Sequence, residues 1–156
     1  MKRRKAREYA LQFLYGVDLV RDVAEQEGEQ RGIPNLQEFW AETGEDDEEV
    51  RRFSEDLVKG TITHVREIDE LVQDVAEHWR LGRMAAVDRN ILRFAAYELL
   101  FRQDIPEAVT INEAIEIAKK YSTLESASFI NGILDRIAKE RPGGPQGVNA
   151  LTRERE

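Results

Sequence analysis

The stretch from Asp88 to Tyr121 constrains the fold more than any other part of this chain of 156 residues. Its first half repeats apolar side chains at steps of one, three and four residues, which is the spacing of an α-helix. The apolar face is wider than one stripe, so neighbours must cover this helix on more than one side. We therefore predict a central helix around which the others pack. Its apolar residues are Ile91, Leu92, Phe94, Ala95, Ala96, Tyr97, Leu99, Leu100 and Phe101.

A turn and a second helix follow the central helix. The turn lies at residues 104–106, because the residue before Pro106 avoids helical geometry. Thr110 stands three residues before Glu113, and this spacing is typical of a capping box. We therefore predict that the next helix begins at Thr110 and runs over 111–121.

Helical spacing continues through most of the remaining chain, and no segment has the alternation typical of a strand. The prediction is an all-α fold, a compact domain of six or seven helices over residues 1–140. Its helices form either a single compact domain or two small bundles that share the central helix. The proline- and glycine-rich tail 141–156 has little to bury and is expected to be disordered. The other predicted helices are 6–19, a short one at 36–40, 48–81 with a bend at 60–63, and 126–139.

Charge is distributed unevenly along the chain. The net charge is −8, yet five lysines and arginines among the first seven residues carry +5, which leaves −13 for the rest. A basic arm on an acidic body indicates one polyanionic and one cationic partner, although both charges could simply be solvated. Residues 22–56 hold thirteen acidic and three basic side chains. We expect a mobile acidic loop there and assign no chemistry to it, since carboxylates at 45–49 complement the dipole of the following helix.

The basic arm leads into an amphipathic helix. Arg3, Arg4 and Arg7 are expected to lie off its apolar face. Tyr9 and Tyr15 flank that face, and each ring is either a core residue with a wet hydroxyl or a platform for an unpaired base.

Several classes of protein are not supported by the sequence. It contains no cysteine, its two histidines lack partners at metal-ligand spacing, and no apolar run is long enough to span a membrane. The phosphate-binding, nucleophile-elbow and HExxH motifs of common enzymes are absent. We therefore expect a cytoplasmic adaptor that is not an enzyme and needs no cofactor or metal.

Two hypotheses stand on the residues alone. The first is an RNA- or DNA-binding module whose arm, Lys2 to Arg7, contacts phosphates. The second is a helical protein-interaction domain, either monomeric or dimeric, in which the arm is incidental. Salt dependence separates them, because each phosphate contact adds about one unit to the slope of affinity against salt.

Three separated motifs resemble one family in the correct order. They are RRKAREYALQFLYGVDL, VDRNILRFAAYELLF followed by DIPEAVTINEAIEIAKKY, and FINGILDRIAK. Together they resemble the NusB family of bacterial transcription antitermination factors. The resemblance covers residues 6–20, 50–121 and 124–139, whereas residues 22–49 and the tail match no pattern of the family.

The resemblance implies a fold of two perpendicular three-helix bundles without enzymatic activity. It implies binding to the boxA element of ribosomal RNA transcripts as a heterodimer with NusE, a basic ribosomal protein of the small subunit. The complex would join RNA polymerase and other Nus factors, and alone the protein would be a monomer or a homodimer. A NusB-like domain of a ribosomal RNA methyltransferase is the alternative within the resemblance. We expect the standalone factor, because the 156 residues include no Rossmann-like catalytic domain.

The resemblance also implies residue roles. The arginine-rich start would contact phosphates and bases, and the tyrosine of LQFLY would lie on the RNA face. The family often has a basic residue before the phenylalanine of the last helix, where this chain has Ser128. The residues assigned to RNA are Lys2, Arg3, Arg4, Lys5, Arg7, Tyr15, Glu125, Ser126 and Phe129. Those assigned to the protein partner are Asp88, Glu98 and Glu107.

Overall fold

Seven α-helices and one 3-10 turn make up the described part of the chain. The structure is a computed structural model that describes residues 1–27, 35–76 and 81–140, without the side chains of 21–27. No strand occurs in these ranges, so the predicted all-α fold is confirmed. The helices are α1 Lys2–Glu27, α2 Leu36–Thr43, α3 Glu48–Thr63, α4 Val65–Ala76, α5 Ala86–Phe101, α6 Glu107–Tyr121 and α7 Leu124–Lys139, with the 3-10 turn at Leu81–Arg83. The predicted tail lies outside the described residues, and the domain boundary at residue 140 stays a prediction.

The chain divides into two compact units, Met1–Gly60 and Thr61–Glu156. The central helix α5 belongs to the second unit, and the arm belongs to the first. None of the helices that we describe is long and apolar enough to cross a membrane.

Edge-to-face contacts between aromatic rings hold α2 against α1 in the first unit. The ring of Tyr9 lies edge-on to Trp40 with centroids 5.4 Å apart, and Phe13 meets Phe39 in the same way at 5.5 Å. The Trp40 indole Nε1 donates a hydrogen bond to Glu55 Oε1 at 2.8 Å, which ties α2 to α3. Phe39 and Trp40 thus form the inner face of the short helix, as their spacing predicts.

Helix α5 is central to the second unit, where α4, α6 and α7 all lie against it. Its apolar residues from Ile91 to Leu100 are buried, which confirms the prediction from the wide apolar face. The Arg93 guanidinium joins α5 to α4 through two hydrogen bonds to Asp69, at 2.8 and 3.0 Å. The core of this unit is therefore built on the stretch that dominates the sequence.

The start of α6 corrects one prediction. The helix begins at Glu107 with Pro106 as its N-cap and no side-chain cap, so the capping box at Thr110 is wrong. The Thr110 hydroxyl instead donates a hydrogen bond to Glu98 Oε1 at 3.0 Å inside the unit. Thr110 cannot be the cap because it lies inside the helix, where its backbone N–H donates to the Pro106 carbonyl at 3.2 Å. Its hydroxyl is instead the donor that the buried Glu98 carboxylate requires.

The break between α3 and α4 falls where the sequence predicts a bend. Helix α3 ends at Thr63 and α4 begins at Val65. His64 lies between them and stacks on Phe101 with ring centroids 4.1 Å apart. This histidine packs against an aromatic ring, and no group of three possible metal ligands occurs among the described residues.

Candidate nucleic-acid interface

The basic arm is the first turns of a helix. Helix α1 begins at Lys2 and has no acidic residue in its first turn. This is unfavourable in isolation, because a helix N-terminus carries a partial positive charge and favours anions. The compensating carboxylates come from another part of the first unit.

Those carboxylates belong to the acidic turn, Glu45 to Glu49, which connects α2 to α3. Lys2 Nζ lies 3.3 Å from Asp47 Oδ2 and 3.1 Å from Glu49 Oε2. Lys5 Nζ lies 2.7 Å from Glu45 Oε1. The carboxylate hydrogen bonds raise the pKa of both lysines above the ordinary value. The acidic turn therefore binds the arm, in addition to the helix-dipole role that the sequence predicts for it.

Glu45 is the one buried residue of the acidic turn. In addition to the contact with Lys5, its carboxylate accepts hydrogen bonds from the Tyr9 hydroxyl at 3.1 Å and the Asp47 backbone at 3.0 Å. The hydrogen bond from Lys5, then that from the Asp47 backbone, holds the pKa of Glu45 below its usual range. Gly44 precedes it with a φ of 73°, in the left-handed conformation that ends α2 and turns the chain.

Tyr9 is partly buried in the first unit, where its ring and its hydroxyl both have partners. Its ring packs against Phe39 and Trp40, and its hydroxyl is bound to Glu45. These contacts favour the structural alternative for Tyr9 over a platform for an unpaired base. Glu45 was missed by sequence reasoning, and the only local signal was a glycine followed by a run of carboxylates.

Arg7 corrects a second prediction, because it does not lie off the buried face. The residue is only 1% exposed, and its guanidinium lies 5.2 Å from the centroid of the Phe53 ring. A guanidinium is attracted to an aromatic face, and its apolar stem can be buried. A direct RNA contact would require this side chain to leave its place in the unit, so its role in the structure is to support the arm.

Arg3 shares the Phe53 ring from one turn earlier, with its guanidinium 4.8 Å from the centroid. Unlike Arg7 it is exposed, and so are Lys2 and Lys5. Phe53 thus contacts two arginines, the exposed Arg3, which a ligand can reach, and the buried Arg7, which a ligand cannot reach.

Tyr15 and Arg4 lie on one side of α1. They are eleven residues apart, which is close to three helical turns, or about 16 Å along the axis. Tyr15 is 37% exposed and Arg4 is partly exposed. A cation and an accessible ring on one helix face are typical of a surface that binds single-stranded nucleic acid, in which both phosphates and unpaired bases are available.

The second predicted RNA segment lies at the start of α7. Thr123 caps this helix by accepting a hydrogen bond from the Ser126 backbone at 2.9 Å, so α7 begins two residues earlier than predicted. Glu125 is exposed there, and Phe129 is partly exposed. The Ser126 side chain points to α5, where its hydroxyl donates to Asp88 Oδ2 at 2.8 Å.

The acidic residues assigned to the protein partner fall into two kinds. Glu107 is exposed in the first turn of α6. Glu98 is 1% exposed and accepts the Thr110 hydroxyl, so a surface position is wrong for it. Asp88 is also buried. Both carboxylates lie on the central helix, where each accepts a hydrogen bond from a hydroxyl of α6 or α7. Periodicity alone does not reveal such partners.

Comparison with known proteins gives consistent results. The model of the NusB family matches residues 4–139. A transcription antitermination protein NusB of Thermodesulfovibrio yellowstonii is 52% identical over 141 residues, covering 90% of this chain and 93% of the relative.

Two solved structures are similar in fold. The structure of T. maritima NusB has a TM-score of 0.75 and 38% identity, covering 96% of this chain and 97% of that one. A structure of the antitermination factors NusB and NusE in complex with double-stranded RNA contains a chain with a TM-score of 0.70 and 26% identity. That match covers 88% of this chain and 96% of the other.

Proposed function

The chain belongs to the NusB family, and we propose that it is a transcription antitermination factor. It binds boxA RNA of ribosomal RNA transcripts as a heterodimer with NusE. This complex joins RNA polymerase and the other Nus factors, so that elongation through ribosomal RNA genes resists termination. The protein acts in the cytoplasm as an adaptor, and its contribution is binding rather than catalysis.

The observation that carries the RNA-binding role is the arm held in helical form at the start of α1. Four cationic side chains, Lys2 to Lys5, are exposed or partly exposed there. Tyr15 offers a ring further along the same helix. Charge gives affinity for any phosphate backbone, while stacking on aromatic rings favours unpaired bases of single-stranded RNA.

The proposed RNA contacts are assigned to individual residues of α1 and α7. Lys2, Arg3, Arg4 and Lys5 contact phosphates, and Tyr15 stacks on a base. The buried Arg7 packs against Phe53 and so stabilises the arm. The start of α7 forms a second RNA contact through Glu125 and Phe129, and Ser126 positions this turn by its bond to Asp88. The exposed Ser128 gives this second contact no positive charge.

Partner binding uses exposed carboxylates of the second unit, such as Glu107. NusE is basic, so exposed carboxylates complement it and steer its approach. Glu107 is the direct contact among the three acidic residues assigned to this role. Asp88 and Glu98 act indirectly. Asp88 fixes the position of α7 through its hydrogen bond with Ser126, and Glu98 fixes that of α6 through its hydrogen bond with Thr110.

A specific observation favours an antitermination factor over a methyltransferase domain. The relative from Thermodesulfovibrio yellowstonii, matched over 93% of its own length, is itself a transcription antitermination protein. A helical interaction domain without specific RNA binding remains the second candidate, and it predicts equal affinity for all RNA sequences.

Fluorescence anisotropy tests the proposal. A labelled boxA-type RNA and a scrambled RNA of the same length are titrated with the protein, with and without NusE, at two salt concentrations. We expect preference for boxA and tighter binding when NusE is present. Equal affinity for the two RNAs and no effect of NusE would overturn the proposal and favour the interaction domain.

A further inference from the structure

We propose that Asp47 and Glu49 compete with RNA phosphates for Lys2, and so lower the affinity of the arm for RNA of any sequence. The inference rests on the proposed function, because it concerns the same RNA-binding arm. It gives the acidic turn a role in RNA binding, beyond the helix-dipole role that the sequence predicts.

The first step is the geometry of the contact. The Lys2 ammonium lies within 3.3 Å of one oxygen from each carboxylate. Both distances are within ion-pair range but longer than the roughly 2.7–2.9 Å of a strong charge-assisted hydrogen bond, and a phosphate oxygen would bind the same ammonium group. The two carboxylates therefore occupy the place that a phosphate would take.

The second step is that this contact can be exchanged. The side chains of Lys2 and Glu49 are 58% and 68% exposed, and that of Asp47 is 33% exposed. Ion pairs between exposed groups are weak and are screened by salt. RNA can displace the carboxylates, but it must do so at a free-energy cost.

Glu45 differs from these two residues. Its side chain is only 6% exposed, and it binds Tyr9 and the turn backbone as well as Lys5. Breaking such a contact would leave a buried carboxylate without its cation. Glu45 thus anchors the arm. Lys5 is 57% exposed and has further N–H donors, so it can contact a phosphate without leaving Glu45, and the competition is limited to Lys2.

The third step concerns sequence and salt. A phosphate backbone has the same charge in every RNA, so the cost of freeing Lys2 is the same for boxA and for any other sequence. Carboxylates released from Lys2 also take up cations from solution, which reduces the net release of ions on binding. Removing them should therefore steepen the dependence of affinity on salt.

The test compares Glu49→Gln with Glu48→Gln in the full chain. Both substitutions remove one negative charge from the same turn, but Glu48 lies 3.9 Å from Arg52 and not against the arm. Affinities are measured by anisotropy for boxA-type RNA and for a scrambled RNA. We expect Glu49→Gln to tighten binding of both RNAs by the same factor, roughly two- to fivefold, with a steeper salt slope, and Glu48→Gln to change little.

Lys2→Gln completes the cycle. If Lys2 transmits the effect, the gain from Glu49→Gln disappears when Lys2 is absent. Asp47→Asn is a second variant that keeps the α3 cap, because the asparagine oxygen can still accept from the Glu49 and Val50 backbones. Thermal melts verify that each variant is folded.

The outcomes separate this inference from the proposed function. Equal gains from Glu48→Gln and Glu49→Gln, or a gain that persists without Lys2, would overturn the competition. Loss of affinity in Glu49→Gln would mean that the carboxylates position the arm, which also overturns it. Wild-type protein that does not distinguish boxA from scrambled RNA would overturn the proposed function alone, and absence of RNA binding would overturn both.

Discussion

The Ser126 hydroxyl donates a hydrogen bond to Asp88 Oδ2 at 2.8 Å, which joins the first turn of α7 to the first turn of α5. The resemblance assigned one of these residues to RNA and the other to the protein partner, yet they are partners of each other. Asp88 Oδ1 is buried and has no hydrogen-bond partner among the described residues. Its carboxylate therefore depends on Ser126, and a change at either residue affects the position of the α7 turn.

Ser126→Ala should lower the free energy of unfolding by about 1–3 kcal/mol, because it leaves a buried carboxylate without its donor. Urea denaturation followed by circular dichroism measures the change. Ser128→Ala is the matched control, since Ser128 is exposed on the same helix. Equal stability of the two variants would mean that the bond to Asp88 contributes nothing.

Arg7→Ala and Arg3→Ala should affect different properties, the first stability and the second RNA binding, although both arginines lie against Phe53. We expect the buried Arg7 to cost about 1–3 kcal/mol of stability when truncated, through lost packing and the lost cation–π contact. Truncation of the exposed Arg3 should change the free energy of unfolding little but weaken RNA binding. Denaturation and anisotropy on both variants measure this, and an unchanged melting temperature for Arg7→Ala would contradict the structural role.

Glu107→Arg should weaken NusE binding severalfold without changing stability, because it puts a positive charge on an exposed site facing a basic partner. Glu116→Arg is the control. It is also exposed on α6, but nine residues further along, on the opposite side of the helix. Isothermal titration with NusE measures both affinities, and similar losses would show that only net charge matters.

Glu98→Arg should unfold the protein or destabilise it by more than about 3 kcal/mol, because an unpaired charge would be buried beside Thr110. Glu98→Gln should be milder, since an amide oxygen can still accept the Thr110 hydroxyl. Thermal melts compare the two. A folded Glu98→Arg protein of normal stability would be incompatible with the buried position.

Stability should decrease in acid because of Glu45. Its pKa is lowered in the folded protein from the ordinary value of 4.5, chiefly by the hydrogen bond from Lys5. A carboxylate with a depressed pKa stabilises the fold fully above pH 4.5 and loses this contribution as the pH falls through the folded value. Urea midpoints measured from pH 6 to 3 should fall less steeply for Glu45→Gln than for the wild type, and parallel curves would exclude the linkage.

Local sequence was sufficient for the helices and for the family. The spacing of Ile91, Leu92, Ala95 and Leu99 predicts a helix wherever it occurs, because 3.6 residues per turn place such side chains together. Pro106 predicts the turn after the central helix for a local reason as well, because the residue before a proline avoids helical geometry. The motifs of α1, α5 and α7 identify the family, because they occur in order over most of the chain.

Which charged residues remain on the surface depended on contacts between helices. Arg7 is buried because Phe53 of α3 covers it, and Glu98 is buried because Thr110, twelve residues later, satisfies it. Tyr9 meets Glu45 across 36 residues of sequence. A polar group can be buried only when a partner replaces its water, and these partners come from other helices. Helical periodicity describes one element at a time, so the pairing of the arm with the acidic turn follows from the tertiary fold.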